Sequence, residues 1–130
     1  MAETTGEGGF QRPTAAEMEL LRLLWEFESG TVRQFHEDLL ERGKTTTFST
    51  TMKLLRIMHA KGLVVRDERW RPHVYSPALP QAEMQKQLVD DFRRRVFGGS
   101  AGELLEALLA GALSNEDLDA IRDVLTARGL

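Results

Sequence analysis

Residues 45–77 read TTTFSTTMKLLRIMHAKGLVVRDERWRPHVYSP, and this stretch decides the fold. Its first part predicts a helix from about residue 48 to 61. Thr51, Leu54, Leu55 and Met58 recur at helical spacing and form its apolar side. Gly62 closes it. The opposite side carries Ser49, Thr50, Lys53, Arg56 and Ala60, short hydroxyls at the start and cations along it. No acid occurs between Glu41 and Asp67. A helix with such a face suits insertion beside phosphates. Residues 63–68 then read as a strand, Arg69-Trp70-Arg71-Pro72 as a turn, and residues 73–76 as the returning strand, stopped by Pro77.

Working upstream, two more helices precede this unit. Thr14 caps the first, with Glu17 at the capping-box position. It runs to about Phe27. Met18, Leu21 and Trp25 make one apolar stripe, and Leu20, Leu24 and Phe27 a second, as on a helix buried between neighbours. Trp25 reads as core in preference to a ligand contact. Glu28-Ser29-Gly30 breaks the pattern. Thr31 caps the second helix with Gln34 in the box, Val32, Phe35 and Leu39 face inward, and Gly43 follows its end. Three helices and a hairpin, with a short turn between the second and third, make a winged helix-turn-helix over residues 13–78. Residues 1–12, rich in Gly, Thr and Glu, read as a disordered leader.

Working downstream, residues 79–130 are helical. Met84, Leu88, Phe92 and Val96 recur every fourth position on a helix that ends at Gly98-Gly99. Ser100 and Glu103 open a helix bearing Leu104, Leu105, Leu108 and Leu109. Ser114 opens a last one bearing Leu118, Ile121, Val124 and Leu125, closed by Gly129. Three short amphipathic helices bury little alone. They either bundle with the head or close against a second copy, and the second reading makes this a dimerisation region. The fold class is thus mainly α with a small β-hairpin, a winged head and a three-helix tail.

The net charge of −3 conceals a division. Residues 42–73 hold eight cations (Arg42, Lys44, Lys53, Arg56, Lys61, Arg66, Arg69 and Arg71) against Asp67 and Glu68, a net of +6, which leaves −9 elsewhere. A basic block in an acidic chain is the footprint of a nucleic-acid site; a merely solvated face is the alternative. No cysteine occurs. That excludes disulfides and thiolate chemistry and fits a reducing cytoplasm. No apolar run approaches the length of a membrane span, so no membrane partner is expected. His36, His59 and His73 are scattered, and His36 reads as a surface or packing residue. Neither a metal cluster, a phosphate loop nor a nucleophile–base pair is present, so an enzyme and a cofactor are not expected.

Several stretches, in order, carry a resemblance. They are Pro13-Thr14-Ala15-Ala16-Glu17 leading to Leu24-Trp25, Thr31-Val32-Arg33, Phe48-Ser49-Thr50, Lys61-Gly62-Leu63-Val64, Tyr75-Ser76-Pro77 and Phe97-Gly98-Gly99-Ser100. Together they resemble the penicillinase-repressor family of bacterial winged-helix regulators, from Pro13 to the C-terminus. The resemblance implies a homodimeric repressor whose third helix enters a major groove. It implies that Ser49, Thr50 and Lys53 contact bases or phosphates, and that Thr46 and Thr47 meet the backbone at the helix start. Arg69 and Arg71 would grip flanking phosphates, with Arg56 adding charge. The tail would close through Leu88, Phe92, Val96, Leu104, Leu105, Leu108, Leu118, Ile121 and Leu125.

The chain also departs from that family. Trp70 stands where the family's wing turns on glycine, so Trp70 rests either on DNA or on its own hairpin. Best-known members are cut at an Asn-Phe bond in the tail; here the tail asparagine, Asn115, precedes Glu116. Copper-responsive relatives use tail cysteines, which are absent. An upstream sensor or protease is a further expected partner. The expected function is sequence-specific repression by a homodimer on a pseudo-palindromic DNA operator. The rivals are a winged helix that senses a small ligand and a winged helix that binds proteins.

Overall fold

A computed structural model describes residues 11–130. The leader expected over residues 1–12 falls, for residues 1–10, outside the described residues; Gln11 and Arg12 stand before any helix or strand. The elements in order are α1 (Ala15–Phe27), α2 (Val32–Glu41), α3 (Phe48–Ala60), β1 (Val64–Asp67), β2 (Val74–Pro77), α4 (Gln81–Phe97), α5 (Ala101–Ala110) and α6 (Asn115–Ala127). The chain is mainly α with one small hairpin, a winged helix followed by further helices. It divides into two compact units, one ending at Lys86 and one running from Gln87 to Leu130.

Local chemistry starts α1, α2 and α3. Thr14 Oγ1 accepts from the Glu17 N–H at 3.2 Å while the Thr14 N–H donates to the Glu17 carboxylate at 2.9 Å. Thr31 and Gln34 repeat this at α2, at 3.3 and 2.8 Å. Each box satisfies amides that a helix start leaves without partners. Thr47 caps α3, its hydroxyl accepting from the Thr50 N–H at 3.1 Å. Gly62 follows α3 at φ +81°, a left-handed conformation that side chains disfavour.

The core of this unit joins Leu20, Leu21, Leu23 and Leu24 of α1 to Phe35 and Leu39 of α2 and to Leu55 and Met58 of α3. Leu63, Val64, Tyr75 and Met84 complete it. Two details differ from the expected stripes of α1. Leu23 is buried and widens the inward arc, while Phe27, at the last position of the helix, is 45% exposed. Trp25 is half-buried, and its indole N–H donates to the Leu79 carbonyl at 3.1 Å.

Two buried polar side chains fix α3. Glu17, only 2% exposed, accepts from Lys61 Nζ at 2.7 Å, tying the start of α1 to the end of α3. A carboxylate buried without such a partner costs several kcal/mol. Thr51, fully buried, donates its hydroxyl to the Thr47 carbonyl at 3.2 Å and sits 3.2 Å from His36 Nδ1.

The hairpin is antiparallel and pairs Val64 with Pro77, Val65 with Ser76, Arg66 with Tyr75 and Asp67 with Val74. Gly30 extends it: its N–H donates to the Tyr75 carbonyl at 3.0 Å, and the Tyr75 N–H donates back at 2.8 Å. Any Cβ at residue 30 would stand 2.9 Å from the Phe35 ring, so a side chain there would force the buried Phe35 to shift.

The second unit is locally well capped and poorly buried. Ser100 Oγ accepts from the Glu103 N–H at 3.0 Å, one half of a capping box, and Ser114 with Asp117 makes a full one. The Phe92 and Phe97 rings meet edge to face, centroids 5.7 Å apart. Yet neither α5 nor α6 buries a single residue. Among the described residues no helix is long and apolar enough to cross a membrane.

Candidate nucleic-acid interface

α3 has two chemically opposite faces. Thr51, Leu55 and Met58 point into the core, and Ser49, Thr50, Lys53 and Arg56 are exposed. Thr47 is also exposed, whereas Thr46 is half-buried. The Thr47 hydroxyl donates to Thr50 Oγ1 at 2.9 Å as well as capping the helix. Thr47 therefore shapes the start of α3, while the Thr50 O–H remains free to donate outward.

The wing holds its own charges. Arg69, with its side chain 84% exposed, clasps Asp67 through Nε at 3.0 Å and Nη2 at 2.8 Å, and its backbone N–H donates to the same carboxylate at 3.0 Å. Arg66 pairs with Glu68 at 2.7 Å. Arg71 Nη1 donates to the Glu68 carbonyl at 3.3 Å and lies 2.7 Å from His73 Nε2. Trp70, between the two arginines, is 59% exposed at the wing tip.

The Arg69 hydrogen bonds hold the Asp67 carboxyl down to about 2, below its ordinary 3.8. Because the folded value is the lower one, the stabilisation of the wing is present above about pH 4 and disappears as pH falls towards 2. A carbon-detected NMR titration is expected to place the Asp67 midpoint near 2. Arg69→Ala should return it towards the ordinary value; a midpoint near 4 in the unaltered protein would show Arg69 unpaired in solution.

Ion pairing narrows the basic block. Arg42 pairs with Glu26 and Asp38, Lys44 with Glu19, Lys61 with Glu17, Arg66 with Glu68 and Arg69 with Asp67. Among the described residues no carboxylate lies within ion-pair distance of Lys53, Arg56 or Arg71. The same holds for Arg33, outside the block, whose guanidinium lies over the Phe48 ring at 5.1 Å from its centroid. His36 meets that ring edge-on at 5.8 Å. Among the described residues Arg22, Lys86, Arg94 and Arg128 are also without an ion pair, but within the basic block and on α2 the unpaired cations lie on α3 and its two flanks. Among the latter only Arg33 lay outside the sequence-predicted site. Its local signals are a position just after the Thr31 cap, off the apolar face of α2, and a place in the Thr31-Val32-Arg33 stretch of the resemblance.

The family described as penicillinase repressor matches over residues 13–127, nearly the whole chain and both compact units. The chain belongs to the penicillinase repressor family. Its members are transcriptional regulators. A comparison with curated proteins finds no match.

The residues expected to close the tail of this penicillinase repressor family member fall into two groups. Leu88, Leu104 and Ile121 are half-buried, while Phe92, Val96, Leu105, Leu108, Leu118 and Leu125 are exposed. Among the described residues no group of three or more His, Asp or Glu is placed to hold a metal ion.

Proposed function

We propose that this protein represses transcription as a cytoplasmic homodimer that occupies a pseudo-palindromic DNA operator and excludes polymerase, with no catalysis of its own. The observation that carries this is the outward face of α3, where Lys53 and Arg56 lie without carboxylate partners among the described residues, beside exposed Ser49 and Thr50. The serine and threonine hydroxyls read base edges or set register, and the cations neutralise phosphates. Hydroxyls discriminate weakly between bases, so operator shape and half-site spacing supply much of the selectivity. Thr46 and Thr47 border the phosphate nearest the start of α3, and Arg71 and Trp70 border the flanking strand.

The exposed leucines of α5 and α6 support the dimer. Leu105 and Leu108 are each more than two-fifths exposed, a surface that a soluble monomer seldom leaves open. A dimer sets two heads one helical turn or a multiple apart, which is what a pseudo-palindrome requires.

Lys53→Ala tests the role of α3. Each phosphate contact contributes about 0.9 to the log–log salt slope, so a dimer losing two should flatten by about two. The loss should be equal on operator and scrambled DNA. An unchanged slope removes Lys53 from the phosphate contacts. Nuclease footprinting on the DNA upstream of its own gene is expected to protect two half-sites about one helical turn apart centre to centre. Protection of a single half-site at saturation would contradict the dimer.

A further inference from the structure

The start of α2, the exposed side of α3 and the hairpin enclose a groove of about 330 Å³. Phe48, Met52 and Tyr75 give it an apolar floor, and Arg33, Arg56 and Arg66 rise around it. We propose that this groove seats a phosphodiester of the DNA strand that runs between the recognition helix and the wing, and that Arg33, with Arg56, is its donor. The proposal rests on the DNA-binding reading above and adds a contact from α2 to it.

The argument is geometric first. In B-form DNA one strand separates each major groove from the adjoining minor groove. If α3 lies in the major groove and the wing beside it, that strand has to pass between them, and this is where the groove opens. The chemistry agrees. Arg66 has its guanidinium committed to Tyr75 and to Glu68, the latter through Nε at 2.8 Å and Nη2 at 2.7 Å, so it shapes the wing side of the groove. Among the described residues Arg33 and Arg56 have no carboxylate to release before they meet an anion. The Arg33 guanidinium already lies over the ring of Phe48, the first residue of α3, 5.1 Å from its centroid. A guanidinium over an aromatic face still presents a fork of N–H donors to phosphate oxygens, a geometry that a lysine ammonium does not reproduce although it keeps the charge that sets the salt slope. The apolar floor keeps water from screening the charges from below.

The ligand chemistry is a phosphate group, and its source is the DNA backbone. The test uses the full-length protein, the DNA upstream of its own gene and a scrambled duplex. Arg33→Gln removes the charge; Arg33→Lys keeps it without the planar stack. Salt-dependent affinity and thermal stability are measured for each. The expected result for Arg33→Gln is a slope flatter by about two per dimer on both duplexes, with Arg33→Lys restoring most of the slope. Thermal midpoints should stay close to that of the unaltered protein. An unchanged slope overturns the proposal. So does weaker binding at unchanged slope with a lowered thermal midpoint, which would mean that Arg33 merely braces Phe48. Calorimetry with inorganic pyrophosphate is the remaining arm. Uptake that vanishes in Arg33→Gln while the DNA salt slope stays intact would assign the groove to a small phosphate ligand and overturn the DNA contact. If the unaltered protein shows no salt-dependent DNA binding at all, the functional reading fails first, and this proposal falls with it.

Discussion

Replacing Leu105 with Asp is expected to leave the protein a folded monomer whose operator affinity is lower by at least about a hundredfold. Leu105 lies on α5, a helix with no buried residue, and is 44% exposed alongside Leu108 and Leu109. If a second copy covers this face, an aspartate there strands a charge in an apolar interface. Once the dimer is lost, the second head no longer binds at the high local concentration that linkage provides, an effect of about 10²–10⁴ in affinity. Sedimentation velocity reads the oligomeric state and anisotropy reads the affinity. The head should keep its thermal midpoint, because its core belongs to the other compact unit. A Leu105→Asp protein that stays dimeric would place the interface elsewhere.

Leu55→Ala is expected to produce the largest loss of stability in the head. Leu55 is fully buried on α3, on the face opposite Lys53 and Arg56. Truncating such a leucine removes its transfer free energy and leaves a cavity, at a cost of about 2–5 kcal/mol. In a domain of this size each kcal/mol moves the midpoint by about 4–8 °C, so a fall of roughly 8–40 °C should appear in a circular-dichroism melt. The contrast with Lys53→Ala is informative, since two residues apart on one helix one change removes stability and the other removes DNA affinity. A cost below about 1 kcal/mol would mean that α3 does not pack through Leu55, and its exposed face would then have to be assigned anew.

Much of this fold is legible in the chain because the deciding signals are local. Thr14 with Glu17 and Thr31 with Gln34 specify helix starts within four residues, and the box geometry appears at both. The alternation of core and solvent along α3 is likewise a matter of spacing. What escaped the sequence depends on partners far along the chain. Glu17 read as a capping residue, yet it also binds Lys61, 44 positions away. Gly30 read as a helix break, and it is also a backbone partner of Tyr75. The charge count gave a basic block, but which cations stay unbalanced depends on tertiary ion pairs such as Lys44 with Glu19. Arg33 was passed over for the same reason: its neighbours in the groove come from α3 and the wing, and no window of sequence holds them together.

The most direct measurement is fluorescence anisotropy of the full-length protein on the DNA upstream of its own gene and on a scrambled duplex, repeated across a range of salt. The account predicts tight binding at two chains per site, a preference for the upstream DNA of about a thousandfold or more, and a steep negative salt slope on both duplexes. Equal and weak binding to the two, with a genome-wide pull-down that recovers no enriched site, would contradict it.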